Sequence, residues 1–524
     1  MVQGISAGRR HLRLSQSVLW SSVAVALAGA LHALSMAWPG TGQPLGSLQW
    51  VALLIVAWLW DRLPSARRAA WVGWVFGTVS LSATVWWLFI SLHTYGHLPA
   101  WLATVAVVAL CAALSLYWAA VAYWYVRFRE RGLGWGWRSL AFGACVMLAE
   151  LARARWFTGF PWGVGGYAHV DSALAWLAPW VGVYGIGALS AVTAMCVAVR
   201  RPVQWWPSWA WSQWASALAL SLIVALALPW SAPRGDVWEQ VLPVRLLQGN
   251  VPQDAKFEGR RGWALDWYGQ ALKDTERGLV VTPETALPYV QQHLPAGYWD
   301  SLVAHFSHGE RAALIGLPLQ DLGVSTNSVL GLAGPVPPYR YDKYHLVPFG
   351  EFIPPWFQWF TRMMNIPLGE FGRGRVDAPS LNWMGQRLAP LICYEDLFGE
   401  ELALRFTRPD QAPTIWVNLS NIAWFGDTLA VDQHLQISRL RALEFERPVI
   451  RATNTGATAI IDAQGRVTHR LPAYQEGVLQ GEVVGRQAPP TPYARWVGEW
   501  GLMPLWLIAL GVLWLPGRTR RRAP

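Results

Sequence analysis

Four cysteines occur in the 524-residue chain, and Cys111, Cys145 and Cys196 all fall inside long apolar runs. The fourth, Cys393, ends the stretch "PLIC" and is followed at once by Tyr394, Glu395 and Asp396. A lone thiol at the end of an apolar strand is either an inert core residue or a nucleophile. As a nucleophile it must lose its proton. A free cysteine, with a pKa of about 8.5, is mostly protonated at neutral pH, so a base has to lie nearby. Glu284 in "VVTPETALP", Glu351 in "FGEFIP" and Glu395 are the candidate carboxylates. Lys343, in "RYDKYHLVPFGEFIP", is the candidate cation, able to favour thiolate and to hold an oxyanion. Singly, Glu284 reads as a turn residue, Lys343 as a surface charge and Glu351 as an ion-pair partner. Together they suit acyl transfer, in which a thiol divides one difficult step into two.

Such a constellation needs strands to fix it, and much of the chain is built for another purpose. Hydrophobic residues make up 53% and charged residues 14%, against roughly 25% charged in ordinary soluble proteins. The 37 tryptophans fit a chain with many membrane–water boundaries. Apolar stretches near 18–37, 47–60, 70–90, 99–126, 139–153, 172–199, 214–230 and 497–516 approach or reach the roughly 20 residues that a membrane-spanning helix needs. The N-terminal stretch is expected to be a retained first helix, because it is too long for a signal peptide and more spans follow it.

Basic residues alternate from turn to turn. Arg9, Arg10 and Arg13 precede the first span, Arg62, Arg67 and Arg68 follow the second, and Arg127, Arg129, Arg131 and Arg138 follow the fourth. The turns "PGTGQPLGS" and "SLHTYGHLP" hold neither Lys nor Arg. The positive-inside rule then predicts a cytoplasmic N-terminus, a segment outside from about 231, and a cytoplasmic basic tail. The formal charge of +10 is thus spent on topology, and nucleic-acid binding is not expected.

The expected division is a helical membrane portion over 1–230, a periplasmic domain over 236–490, a final membrane helix over 497–516 and a basic tail over 517–524. Within 236–490, the runs "PVRLLQGN", "GLVVTPET", "AALIGLPLQ", "TNSVLGL", "APLICYED", "TIWVNLS", "PVIRATN" and "TAIIDA" read as strands. The segments "GWALDWYGQALKDTERG" and "DQHLQISRLRALEFER" between them read as helices, which predicts an α/β domain with buried sheets.

The order Glu284, Lys343, Cys393 over roughly 240–485 resembles the carbon-nitrogen hydrolase (nitrilase) superfamily. With the flanking spans, the chain resembles the apolipoprotein N-acyltransferase family of bacterial inner-membrane enzymes. The matching pieces are "LQGNVPQDAKF", "PETALP", "YDKYHLVPFGEFIP", "ICYEDLF", "NLSNIAWFGD", "QHLQISRLRALEFERPVIRATNTGATAIID" and, in the membrane portion, "TGFPWGVGGY". The resemblance implies a polytopic α-helical portion of about eight spans carrying an αββα sandwich. It implies Glu284 as general base, Lys343 as oxyanion stabiliser and Cys393 as nucleophile. Glu351 and Glu395 become supporting residues, with Glu395 orienting Lys343 or the thiol, and Tyr394 offers a backbone N–H or a wall to the site.

The implied reaction moves an acyl chain from a phospholipid, with phosphatidylethanolamine as donor, to the N-terminal amine of a diacylated apolipoprotein. The enzyme would be a monomer in the bilayer and need no cofactor. Candidate substrate contacts are Phe257, where an apolar ring replaces the family's Trp, Trp424 and Phe425 in "NIAWFGD", and Glu150 and Arg153. The last two are spaced i, i+3 in an apolar helix, and read as an ion pair bracing the "TGFPW" turn or as a headgroup contact. His434 is expected in a helix interior, and His93 and His97 in a turn, so no metal site is expected. Rival readings are a membrane-tethered amidase for small soluble substrates and a transporter or lipid-binding scaffold.

Overall fold

A computed structural model describes residues 2–199, 238–254, 256, 259–354 and 370–514. Phe257, the expected span at 214–230 and the basic tail lie outside the described residues.

The α/β portion contains two six-stranded sheets. In the first, β1 (Trp238–Gln248), β2 (Gly278–Val281) and β3 (Arg311–Asp321) run parallel, flanked by β4 (Val324–Leu332), β5 (Tyr339–Asp342) and β12 (Gly477–Gln487) in the order β12-β1-β2-β3-β4-β5. In the second, β7 (Gln386–Ile392), β8 (Ile415–Ser420) and β9 (Val449–Thr453) are the parallel centre. With β6 (Leu381–Trp383), β10 (Ala459–Ile461) and β11 (Val467–Arg470) the order is β11-β10-β9-β8-β7-β6.

The sheets face one another across Leu246, Leu279, Leu314, Ile392, Val417 and Ile450, all buried. On the outer face of the first sheet, Val280, Ala313 and Ile315 pack against helices Arg261–Lys273 and Tyr298–Phe306. Leu391 and Trp416 on the outer face of the second pack against helix Ala430–Phe445 and helix Pro492–Trp500. The result is the αββα arrangement expected of near-continuous apolar strands that must be covered on both faces.

The preceding helices are Val2–Met36, Gly46–Arg62, Ala66–Thr84, Ala100–Leu114, Leu116–Arg129, Trp135–Arg155 and Ala178–Ala198. By length and apolarity, Leu19–Met36, Ala100–Arg129 and Ala173–Ala198 can cross a membrane, and the number among the described residues reaches five if two bent pairs each count as one. One pair, Ala66–Thr84 with Leu88–Tyr95, bends by 66° within the stretch expected as the third span. The other, Pro492–Trp500 with Met503–Trp514, bends by 89° within the stretch expected as the final membrane helix. The break falls at Gly501, whose φ of 58° is left-handed and ends the first helix. Pro492–Trp500 belongs with the sandwich core through Tyr493, Ala494 and Val497.

Helix Ala430–Phe445 joins the two portions. Its Gln433 side-chain oxygen accepts from Trp87 Nε1 at 3.2 Å and Trp162 Nε1 at 2.8 Å, while its Nε2 donates to the Thr84 carbonyl at 3.1 Å. On its sandwich-facing side, Asp396 accepts from His434 Nε2 at 2.9 Å and Arg451 Nη1 at 3.2 Å, and also from Ser438. Burial disfavours the Asp396 charge, but His434 and Arg451 hold its carboxyl below the usual range. Removing one member of a buried charge pair strands the other. Asp396→Ala should therefore lower stability by about 3–5 kcal/mol, read as the unfolding midpoint of the detergent-solubilised chain. An unchanged midpoint would contradict this role.

Candidate active site

Four strands end on one edge of the sandwich, and each delivers a site residue. Glu284 follows β2 after Thr282 and Pro283, Lys343 follows β5 directly, Cys393 follows β7 directly, and Asn421 follows β8 directly. Ligand and reaction sites in α/β sheets gather at such carboxyl ends, where side chains leave the ladder while the strand still fixes their backbone.

The placement of Glu284 depends on Gly316 in the neighbouring strand. A Cβ on Gly316 would lie 2.3 Å from the Pro283 carbonyl oxygen and 3.0 Å from the Thr285 nitrogen. Only glycine allows so close an approach. Thr282 Oγ1 accepts from Gly316 N–H at 2.9 Å, and Thr285 takes a left-handed φ of 50°, which turns the chain just after the glutamate.

Lys343 is buried, and its ammonium lies 3.3 Å from Glu284 Oε1 and 2.9 Å from Glu351 Oε2. Asn327 in β4 completes the cluster, its Nδ2 donating to Glu284 Oε1 at 2.7 Å and Glu351 Oε1 at 2.8 Å. Glu284 Oε2 accepts from the Asn421 backbone N–H at 2.9 Å. Burial alone would lower the Lys343 pKa, but Glu284 and Glu351 more than offset it, so the ammonium stays charged. Glu351 is thus an ion-pair partner of Lys343, and its Oε2 also accepts from Val347 N–H at 2.8 Å.

Cys393 has a left-handed φ of 52° and opens a 3-10 turn, Cys393–Leu397. A non-glycine residue in that region is strained, and such strain clusters where a side chain must be aimed. Part of Cys393 reaches solvent, yet the packing around its sulfur desolvates it. That burial, with the Glu284 carboxylate, pushes the thiol up to about 12, against the opposing pull of Lys343, Ser420 and the Asn421 N–H. The resting group is therefore a thiol, which would need a proton acceptor to react as a nucleophile.

Glu395 does not touch the Lys343 side chain. Its Oε1 accepts from Tyr344 N–H at 2.7 Å and its Oε2 from Ile392 N–H and Tyr341 Oη, both at 2.7 Å. It ties the backbone after Lys343 to the backbone before Cys393, orienting both through the main chain. Tyr394 packs into a core made largely of the helical portion, and its hydroxyl donates to the Gly159 carbonyl at 3.2 Å.

Three of the candidate substrate contacts have protein partners. Glu150 and Arg153 are buried and are not paired with one another among the described ion pairs; Glu150 Oε1 accepts from Gly165 N–H at 2.7 Å, and Arg153 Nη1 donates to the Phe160 and Trp162 carbonyls at 2.7 and 2.6 Å. Both satisfy loop backbone that has left the helix: Arg153 braces the "TGFPW" turn and Glu150 the residues just after it. Phe425 packs on Trp87 with ring centres 4.1 Å apart, as part of the joint between the two portions. Trp424 stays exposed, 5.5 Å edge-to-face from Tyr95. His434 lies in a helix interior against Asp396, as expected. Asn327, Asn421 and Asp396 were missed by sequence reasoning; the one available signal was an amide amid the apolar residues of "TNSVLGL", where Asn is a poor strand former.

Opposite electrostatic effects give a direct check. Lys343→Met should slow alkylation of Cys393 at pH 8 by about tenfold or more, because a nearby cation lowers an acidic pKa by roughly one to three units. Glu284→Gln removes a like charge and should speed alkylation, even as acyl transfer falls by about 10²–10⁴ with loss of the base. Rates read on the Cys393 peptide that move together would refute the arrangement. Gly316→Ala should push Glu284 out of place and cut turnover by about 10²-fold, as misplacements near 1 Å do.

Residues 19–196 match the family described as the apolipoprotein N-acyltransferase N-terminal domain, and residues 207–488 match the carbon-nitrogen hydrolase family. An apolipoprotein N-acyltransferase from Verminephrobacter eiseniae is 52% identical over 510 residues, covering 94% of this chain and 95% of that protein. One from Ralstonia nicotianae is 43% identical over 482 residues, covering 90% and 88%. A carbon-nitrogen hydrolase superfamily protein of known structure from Xanthomonas campestris is 20% identical with a TM-score of 0.36, covering 51% of this chain and 97% of that one. With a thiol, a carboxylate and an ammonium at the strand ends and these relatives along nearly its whole length, the chain belongs to the apolipoprotein N-acyltransferase family.

Proposed function

We propose that this chain transfers an acyl group from a phospholipid to the N-terminal amine of a diacylglyceryl-cysteine on apolipoproteins, through a thioester on Cys393. The observation that carries this reading is the cluster of Glu284, Lys343 and Glu351 at the strand ends that also present Cys393, on a turn packed against apolar helices.

In the first half, Cys393 sulfur attacks the ester carbonyl while its proton passes to Glu284. Lys343 and the N–H of Tyr394, at the open start of the 3-10 turn, face the developing oxyanion. The tetrahedral intermediate collapses with cleavage of the ester C–O bond; the leaving alkoxide takes the proton from Glu284 and departs as lysophospholipid. In the second half, the acceptor amine attacks the thioester and gives a proton to Glu284. The C–S bond breaks, the amide forms, and the thiolate recovers its proton. The packing of the Cys393 turn against apolar helices favours lipid substrates over the small soluble molecules of an amidase. Exposed Trp424 is a candidate contact for an acyl chain.

The chain sits in the bacterial inner membrane with about eight spans, phosphatidylethanolamine as donor, the domain over 236–490 in the periplasm and both termini in the cytoplasm. The alternation of arginine-rich and arginine-free turns supports that orientation.

Purified full-length chain incubated with phosphatidylethanolamine alone should carry an acyl adduct on the Cys393 peptide, removable by hydroxylamine and missing from Cys393→Ala. A preparation that transfers acyl chains while Cys393 stays unmodified overturns the reading.

A further inference from the structure

The motif "LQGNVPQDAKF" is not used by the triad, yet its described residues, 247–254 and Lys256, contact the site. After β1 the chain turns at Asn250, whose N–H donates to the Asn454 carbonyl at 2.9 Å. The Asn454 amide then holds both backbone groups of Val251, at 2.9 and 2.8 Å. Gln253 Oε1 accepts from Asn421 Nδ2 at 2.8 Å, and Asn454 donates to Asn421 Oδ1 at 3.1 Å. This fixes Asn421, whose backbone N–H is bonded to the Glu284 carboxylate. Lys256 is buried, and its Nζ donates to the Glu284 carbonyl at 3.1 Å.

A lysine this deeply buried is costly unless charge faces it. Among the described residues, the Glu284 carboxylate and Cys393 act on Lys256, and Glu284 is in turn paired with Lys343, which also holds Glu351. We propose that Lys256 is a further positioning residue of the site: it anchors the backbone of the general base and supplies a second positive charge beside the Glu284–Cys393 pair. This rests on the triad reading above. Lys343 serves the oxyanion and is locked between two carboxylates, whereas Lys256 holds the base from its main-chain side and biases the thiol toward ionisation. Burial pulls Lys256 down to about 8 while Glu284 and Cys393 oppose that fall, so its charge can change within the working range of the site.

The test is iodoacetamide labelling of the full-length chain in detergent, read on the Cys393 peptide from pH 6 to 10. In the native chain the rate should climb with pH, flatten near pH 8 as Lys256 loses its proton and its charge stops assisting the thiolate, then climb again. Lys256→Met should lower the rate at pH 7 by about tenfold, the effect of one nearby cation, and abolish the inflection. Lys256→Arg should restore the rate, also without inflection, because its guanidinium does not titrate there. A Met profile that superimposes on the native one overturns the proposal, and so does an Arg variant that loses as much as Met. Should the Met variant fail to fold, the Arg variant decides: an inflection that persists near pH 8 overturns the proposal. None of these outcomes removes the acyl adduct from native Cys393, whose absence would instead be the failure of the triad reading.

Discussion

Lys343 places a positive charge where almost no water reaches, and only the carboxylates of Glu284 and Glu351 make that tolerable. At separations near 3 Å each attraction is worth several kcal/mol even at an effective dielectric of about 20, enough to offset desolvation when the remaining polar atoms are also satisfied. The two carboxylates also accept from Asn327, from the Asn421 N–H and from the Val347 N–H. The elements follow from that requirement. The ends of β2, β5 and β8 must converge with Asn327 inside β4 on one charge cluster, and the two sheets must face one another so that β7 can add the thiol.

The sulfur sits in the opposite condition. Its desolvated pocket and the adjacent carboxylate keep it protonated at rest, although Lys343 is near. The same surroundings that protect the thiol from ionising also lower the dielectric in which an oxyanion would be stabilised, so donors aimed there act more strongly than they would in water. Glu395 contributes by binding main chain from both sides of the site rather than by meeting a reacting atom. A carboxylate next to a nucleophile need not be its base.

Much of this architecture was legible in the sequence. The eight apolar runs read as strands correspond to β1, β2, β3, β4, β7, β8, β9 and β10, because buried parallel strands are written as continuous Val, Leu and Ile. The edge strands escaped: "YRYD" and "VTHR" carry charges, and only pairing with β4 and β10 makes them strands. Glu284 and Cys393 stood out because each follows an apolar run, and Lys343 because it precedes one. Asn327 and Asn421 did not, since an amide or a backbone N–H acts by position and leaves little trace in composition. The bends after Thr84 and Trp500 were also invisible: apolarity reports burial in lipid or protein, but not direction. Glu150 and Arg153 had the spacing of an ion pair, and the loop backbone competed for both.

The turn that begins at Cys393 is shared property. Tyr394, Leu397 and Phe398 are packed into the same core as Leu151, Trp162 and Tyr184 of the helical portion, and the Tyr394 hydroxyl rests on Gly159. A hydrolase cassette exchanged between lineages by recombination would arrive with its nucleophile resting on a foreign foundation. The sandwich is therefore complete only on helices that offer the Gly159 carbonyl and the surface of Leu151, Trp162 and Tyr184 beneath that turn.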